Sequence, residues 1–496
     1  MCEIESGKSF PHLVIKDAML VNGRGSPAFG PVDIVIERDK ITDIVKVDSV
    51  SLNRYPSDWE RPSSEYMIDA IGMYVIPGLV DMHAHIPTDK KKCGPKDFEY
   101  AYKLWLIHGV TTLRTCGHNN DDILLMHRKL SQKNNIIAPR LIVLSTWPNE
   151  IPFTKDEAKE QVHKINEMGA DGIKLYPGPN FNPDILFTIR EEINKIKMSA
   201  GVAIHITQYS EIDAEIASNA LGEYLSIEHT YGIPQAAIYG TQNFPPNYNY
   251  LNELDRFRLS GKIWEEADKY EERVIKVLDI LIKNGTIWDP TMVIYECNCD
   301  LERIQTKNWH KRYTVPSLMN YWKPTIGRHA SHYYEWKTSD EITWKKKFRI
   351  WMKYLKIFFE RGGIITVGSD AGSSYGLYGF STIRELELLQ EVGFHPIDIF
   401  KMATTNATKH LGLSNLAGGV RVGFTADLAI VDGNPLDNFK VMYGTGNQKI
   451  LSNGNIINRG GVKWTIKNGI VFNTKILKKE IEEYVTQMNG RNENAY

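Results

Sequence analysis

The feature that most constrains this chain is an alternation sustained across its middle. Short apolar runs recur there, separated by longer amphipathic ones. The short runs are "YVIPGLVDMHAH", "GVTTLRTCG", "PRLIVLST", "DGIKLY", "GVAIHIT", "YLSIEH", "TIWDPTM" and "IITVGSDAG". Most are short and rich in Val, Ile and Leu, so they read as strands. Between them lie helical patterns, from the stretch at about Pro95–His108 to "WMKYLKIFFERGG". Thr154 and Glu157 form a capping-box signature at one helix start. Strands alternating with helices form parallel sheets, because a parallel connection needs a crossover. Eight such units predict an α/β fold, a closed (β/α)8 TIM barrel.

Spacing agrees with this except in one place. A barrel of about 250 residues spends roughly 31 on each unit. His85 and Lys174, three units apart, are separated by 89 residues, and Lys174 and His205, one unit apart, by 31. His229 and Asp370, two units apart, are separated by 141. The surplus predicts long insertions at about 230–267 and 292–345. Loops after barrel strands lie on the C-terminal face, where such barrels build their active sites. Residues 230–363 also hold Trp264, Trp288, Trp309, Trp322, Trp336, Trp344 and Trp351 of the chain's 11 tryptophans. They either pack the insertions onto the barrel or wall a substrate site.

The two ends have a different texture. "HLVIKDAMLVNGRG" and "VDIVIERDKITDIVKV" alternate apolar and polar residues around turns, and so do "ADLAIVDGNPLDN", "KILSNGNIINRGG" and "VKWTIKNGIVFN". We expect one small β-sandwich built from residues 1–76 and 418–475. The barrel then occupies 77–417, and 476–496 form a helical tail.

Composition narrows the function classes. There are 59 basic and 60 acidic residues, a net charge of −1, so no bulk electrostatics favour nucleic acid or a membrane surface. Five cysteines in a long chain fit a reducing, cytoplasmic setting better than a disulfide framework. The N-terminus does not read as a signal peptide, and no apolar run is long enough to span a membrane.

The chemistry sits at the strand ends. His83 and His85 close the first strand in "GLVDMHAH", and alternation would aim both imidazoles at one face. Lys174, His205, His229 and Asp370 follow on strands four, five, six and eight. Singly, each has a structural explanation: a hydrogen-bonded histidine, a paired lysine, an aspartate in a turn. Together they would bury four imidazoles, an amine and a carboxylate around one rim, which is costly without a shared partner. A divalent metal satisfies them at once, with zinc the default and manganese or cobalt possible. Protonated Lys174 would be a poor ligand. Reaction of its neutral amine with carbon dioxide would give an anionic carbamate with two oxygens, able to bridge two metals.

In this order "GLVDMHAH", Lys174 in "GADGIKLY", His205, His229 and "GSDAG" resemble the metal-dependent amidohydrolase superfamily. "MATTNATKHLGL" and "GGVRVGFTADLAIVDGNPL" add to the likeness, which runs from about residue 12 to 475 and is weakest in the insertions. Lys174 resembles the binuclear branch of prolidase-like dipeptidases. That resemblance implies His83, His85 and Asp370 on one metal, and His205 and His229 on the second. It implies a carbamate on Lys174 and a hydroxide bridging the two, with Asp370 as the catalytic proton shuttle. Strand two departs from the pattern, since relatives often have an aspartate at the Thr115 position. Tyr231 and His118 are candidate substrate-binding residues, and Arg114 reads as an ion-pair partner.

The expected activity is hydrolysis of an amide bond in a small molecule, such as a dipeptide, an N-acyl amino acid or a cyclic amide. The alternatives are a mononuclear deaminase of a ring substrate, which would not need Lys174, and a non-catalytic scaffold. A homo-oligomer is expected by analogy alone.

Overall fold

The computed structural model describes residues 3–47, 61–86, 98–117, 121–148, 154–178, 181–207, 210–238, 249, 252–325 and 332–493. Eight parallel strands form the central sheet, paired in sequence order. They are β1 (Leu79–Ala84), β2 (Val110–Cys116), β3 (Arg140–Thr146), β4 (Gly172–Leu175), β5 (Val202–Ile204), β6 (Leu225–Glu228), β7 (Ile287–Asp289) and β8 (Ile364–Ile365). The sheet closes on itself. Ala84 bridges Ala371 in parallel, Met82 N–H donates to Val367 O at 2.8 Å, and Asp370 N–H donates to His83 O at 2.7 Å. The fold is the expected (β/α)8 barrel.

The period-2 alternation of strands sorts side chains into two layers. On β3, Leu141 and Val143 join the large cluster packed against the helices, whereas Ile142 and Leu144 join Val80, Met82, Cys116, Ala203 and Ile287. That second set comes from strands around the barrel and fills its interior. The capping box appears as expected: Thr154 is the N-cap of helix Lys155–Glu167 and exchanges hydrogen bonds with Glu157.

Both chain ends build the second sheet. Strands within residues 8–46 and 66–77 pair with Leu428–Asp432, Gly461–Lys467 and Ile470–Asn473. The nine strands form one continuous sheet rather than two separate ones. Its distant strands share one core, with Leu13, Ile34, Val75, Ile430, Ile466 and Val471 buried together. Met73–Pro77 pairs with Leu428–Asp432 and runs through Gly78 straight into β1, so the N-terminal sheet feeds the barrel directly. Arg140 of β3 crosses to Asp427 at 2.7 Å.

The described parts of the stretches after β6 and β7 are largely helical. They include Ile233–Ala237, Glu253–Asp268, Met292–Cys299 and Pro316–Trp322. Trp264, Trp344 and Trp351 in these stretches are fully buried, as is Trp288 on β7 itself. "KILSNGNIINRGG" folds as a separate hairpin, Asn447–Ile450 with Ile456–Arg459. The C-terminal helix begins two residues earlier than expected, at Thr474, and runs to Glu493. No helix among the described residues is long and apolar enough to cross a membrane.

Candidate metal centre

His83 and His85 project from the end of β1 with ring centroids 5.1 Å apart. Across the closure, Asp370 Oδ1 lies 2.8 Å from His85 Nε2 and 3.7 Å from His83 Nε2. One donor atom from each of these three residues lies within 4.8 Å of the others, close enough to share an ion. The His229 ring stands 4.8 Å from His83 and 4.5 Å from His205. Its Nδ1 is 2.5 Å from Thr291 Oγ1 and 4.0 Å from Asp370 Oδ2. The structure therefore brings His83, His85, His205, His229 and Asp370 to one end of the barrel.

Lys174 completes the group. It is fully buried, its Nζ makes no hydrogen bond, and it lies 5.0 Å from the centre of the Tyr176 ring. Its charge acts on His83, His229 and Asp370. Gly117 makes room for it. A Cβ there would stand 2.2 Å from Thr146 Oγ1 and 3.3 Å from Lys174 Cβ, and its φ of +71° suits glycine. An amine buried beside two imidazoles and making no hydrogen bond is costly.

Electrostatics prepare the ligands. Burial, reinforced by the Lys174 charge, pushes His83 well below the usual imidazole range. Burial and the neighbouring His205 do the same to His229. These shifts favour the neutral form, which metal ligation requires. Burial alone would raise the Asp370 carboxyl, but His83, His85 and Lys174 together hold it below its usual value. His229 and Asp370 also adopt left-handed backbone, at φ 68° and 50°. Such strain in non-glycine residues persists where surrounding structure enforces it.

Sequence reasoning missed the layer beneath. Glu228 Oε2 lies 2.6 Å from His83 Nδ1, while its Oε1 accepts from Arg114 at 2.7 Å and from Ser226 Oγ at 2.5 Å. A carboxylate on Nδ1 keeps the proton there and leaves Nε2, on the Asp370 side, with its lone pair free to bind a metal. Arg114 is the ion-pair partner it was read to be. The signal for Glu228 was a lone acid in the apolar run "LSIEH", immediately before a chosen histidine. Thr291, which orients His229, carried no signal. A second grouping of His83, Cys116 and Glu228 also comes within ligand distance. It suits a metal poorly: burial pushes the Cys116 thiol up to about 12, and Glu228 is committed to Arg114.

Tyr231 lies against the site, its ring 5.6 Å from His205. His118 lies outside the described residues. Thr115, at the departure from the family pattern, is buried on β2.

A barrel with this rim has counterparts among known proteins. The amidohydrolase family pattern matches residues 74–241 and 353–471, more than half of the chain. The chain belongs to the amidohydrolase family, and the unmatched middle holds the helical insertions. It is 25% identical over 174 residues to a dihydroorotase of Ruminiclostridium cellulolyticum, covering 35% of this chain and 32% of that protein. It is 25% identical over 190 residues to adenine deaminase 2 of Latilactobacillus sakei, covering 34% and 32%. The chain thus matches about a third of the length of these curated relatives. Among solved structures, bottromycin amidohydrolase superposes with a TM-score of 0.68 at 16% identity, over 97% of this chain and 92% of that one. A Xaa-Pro dipeptidase with methionine in its active site gives 0.60 at 19%, over 93% and 100%. These likenesses show a shared fold across nearly the whole chain.

Proposed function

We propose that this chain hydrolyses a carbon–nitrogen bond of a small-molecule amide, such as a dipeptide or N-acyl amino acid, with two divalent metal ions, most simply zinc. The observation that carries the reading is Lys174: a fully buried amine without a hydrogen bond, close enough to act electrostatically on His83, His229 and Asp370. A mononuclear deaminase would have no use for it. His83, His85 and Asp370 would hold one ion, His205 and His229 the second, and a carbamate on Lys174 would join them. When bound, the metals supply polarisation of the carbonyl and acidification of the attacking water.

The chain's own residues do the rest. Asp370 Oδ1, which lies 2.8 Å from His85 Nε2, would face the same ion as that nitrogen, which leaves Oδ2 to take the proton from the attacking water and pass it to the leaving nitrogen. Glu228 fixes the tautomer of His83. Tyr231 orients an oxygen of the substrate. The described cysteines Cys116, Cys297 and Cys299 are free thiols, in accord with a cytoplasmic setting.

The test combines metal content with intact mass before and after mild acid. The proposal expects close to two metals per chain and one carbon dioxide equivalent, about 44 Da, lost with acid. Lys174→Ala should lose both this adduct and most amide hydrolysis. One metal, no adduct and an active Lys174→Ala that releases ammonia from ring substrates would instead establish the deaminase.

A further inference from the structure

The chemistry described so far leaves one buried acid unused. Asp81, on β1 two residues before His83, is fully buried. Its Oδ1 accepts from Ser369 N at 2.9 Å and from His83 N at 3.2 Å. Its Oδ2 accepts from Ser369 Oγ at 2.6 Å, Thr382 Oγ1 at 2.7 Å and Trp105 Nε1 at 3.1 Å. Trp105 lies on helix Phe98–Leu106 and Thr382 on helix Phe380–Val392. One carboxyl group therefore joins β1 to the segment after β8 and to two helices outside the barrel.

These bonds fall where the barrel closes. Regular pairing on β8 ends at Ile365. Beyond it, Met82 N donates to Val367 O and Asp370 N donates to His83 O. Ser369 N falls between those two bonds and takes the Asp81 side chain as its acceptor. Ser369 Oγ also accepts from Ala371 N at 3.3 Å. The residues on both sides of Asp370 are thus tied to Asp81, one directly and one through Ser369. Asp370 itself is held at φ 50°, a conformation that persists in a non-glycine residue only where its surroundings enforce it. An amide could not replace this carboxyl. Each oxygen faces an N–H that cannot turn, those of Ser369 and His83 on one side and that of Trp105 on the other. Whichever way an asparagine were placed, its NH2 would meet one of them.

We propose that Asp81 is a positioning residue that sets the spacing between the two segments supplying the first ion's ligands, His83 and His85 at the end of β1 and Asp370 after β8. This rests on the reading of those three residues as ligands of one ion. With both oxygens engaged, Asp81 is not itself a ligand. It acts through the backbone of His83 and through Ser369, while Trp105 and Thr382 hold its carboxyl from the helix side.

The experiment measures the zinc affinity of the full-length protein by competition with a chromogenic chelator, beside its melting temperature without metal. Asp81→Asn and Ser369→Ala should each weaken the binding of one ion by about tenfold or more. Combining them should add less than about threefold to the effect of Asp81→Asn alone, because Ser369 acts through Asp81. Thr382→Val loses only a bond on the helix side. It should lower the melting temperature yet leave zinc affinity within about twofold of wild type. A purely structural role would instead make affinity follow melting temperature across all three variants. That pattern overturns the proposal, as does unchanged affinity in folded Asp81→Asn and Ser369→Ala, or full additivity in the double variant. If Asp81→Asn does not fold, the contrast between Ser369→Ala and Thr382→Val carries the same test. A wild type that binds a single ion refutes the two-metal reading alone, and the affinities for that ion then decide this proposal. A wild type that binds no ion overturns both.

Discussion

At the scale of single residues, the centre depends on groups that touch no substrate. Glu228 is the clearest. As a carboxylate it can only accept from His83 Nδ1, which leaves Nε2 unprotonated for a metal. A glutamine could instead donate to Nδ1 and place the proton on Nε2, the wrong nitrogen. Glu228→Gln should therefore weaken metal binding by about 10- to 100-fold, as measured by competition with a chromogenic chelator. The same change leaves the buried Arg114 guanidinium without its charge partner. Loss of one partner from a buried pair costs about 3–5 kcal/mol, so the metal-free variant should also show a lower urea midpoint. An unchanged metal affinity would show that His83 needs no such support.

At the scale of elements, the insertion after β7 is fastened to the segment that follows β8. Helix Met292–Cys299 opens with Thr291 in left-handed backbone at φ 46°. Its first N–H groups have no acceptor within the helix. Glu385, on helix Phe380–Val392, supplies one: it accepts from Met292 N at 2.9 Å and Val293 N at 2.7 Å. Trp322 Nε1 adds a bond to Gly372 O at 3.2 Å, two residues past Asp370. Glu385→Ala would strand two buried donors, at a cost of about 1–3 kcal/mol each. Because Thr291 and Tyr295 ride on the same segment, catalytic turnover should fall along with stability. Glu385→Gln should recover part of both. A Glu385→Ala protein with wild-type urea midpoint and activity would show that water replaces the cap.

At the scale of the whole molecule, acid sensitivity is built into the packing. His108 is buried with Nδ1 against Leu104 O at 2.7 Å, and burial lowers its pKa to about 3. His310 lies between Thr314 Oγ1 and Ile304 O, and burial lowers it to about 4. Both start from an ordinary value of 6.5. Between that value and the lowered ones, the unfolded chain binds protons that the folded chain refuses. Stability contributed by these neutral histidines is complete above pH 6.5 and is lost as pH falls toward 4 and 3. Each contributes on the order of a few kcal/mol across that window. With metals removed by chelation, the melting temperature should fall steeply over this range, and less steeply in His310→Gln. A flat profile for both proteins would mean the two rings take up protons without unfolding.

The chain sequence determined the barrel, because strand and helix periods are local properties. It also determined the order of His83, His85, Lys174, His205, His229 and Asp370, because barrel topology brings successive strand ends to one rim whatever the loops do. The terminal sheet was readable for the same reason, from alternation and turns. What the sequence left open was everything set by contacts between distant segments. The insertions read as surplus length, since several of their helices are short and their burial depends on neighbours far along the chain. Glu228 and Thr291 were passed over because orienting a histidine is a relation between two strands, not a pattern along one. Asp81 looked like one more residue of "GLVDMHAH". Only the closure of the barrel put its carboxyl among Ser369, Thr382 and Trp105. The partners of a buried polar group belong to its three-dimensional surroundings, and those the tertiary structure alone decided.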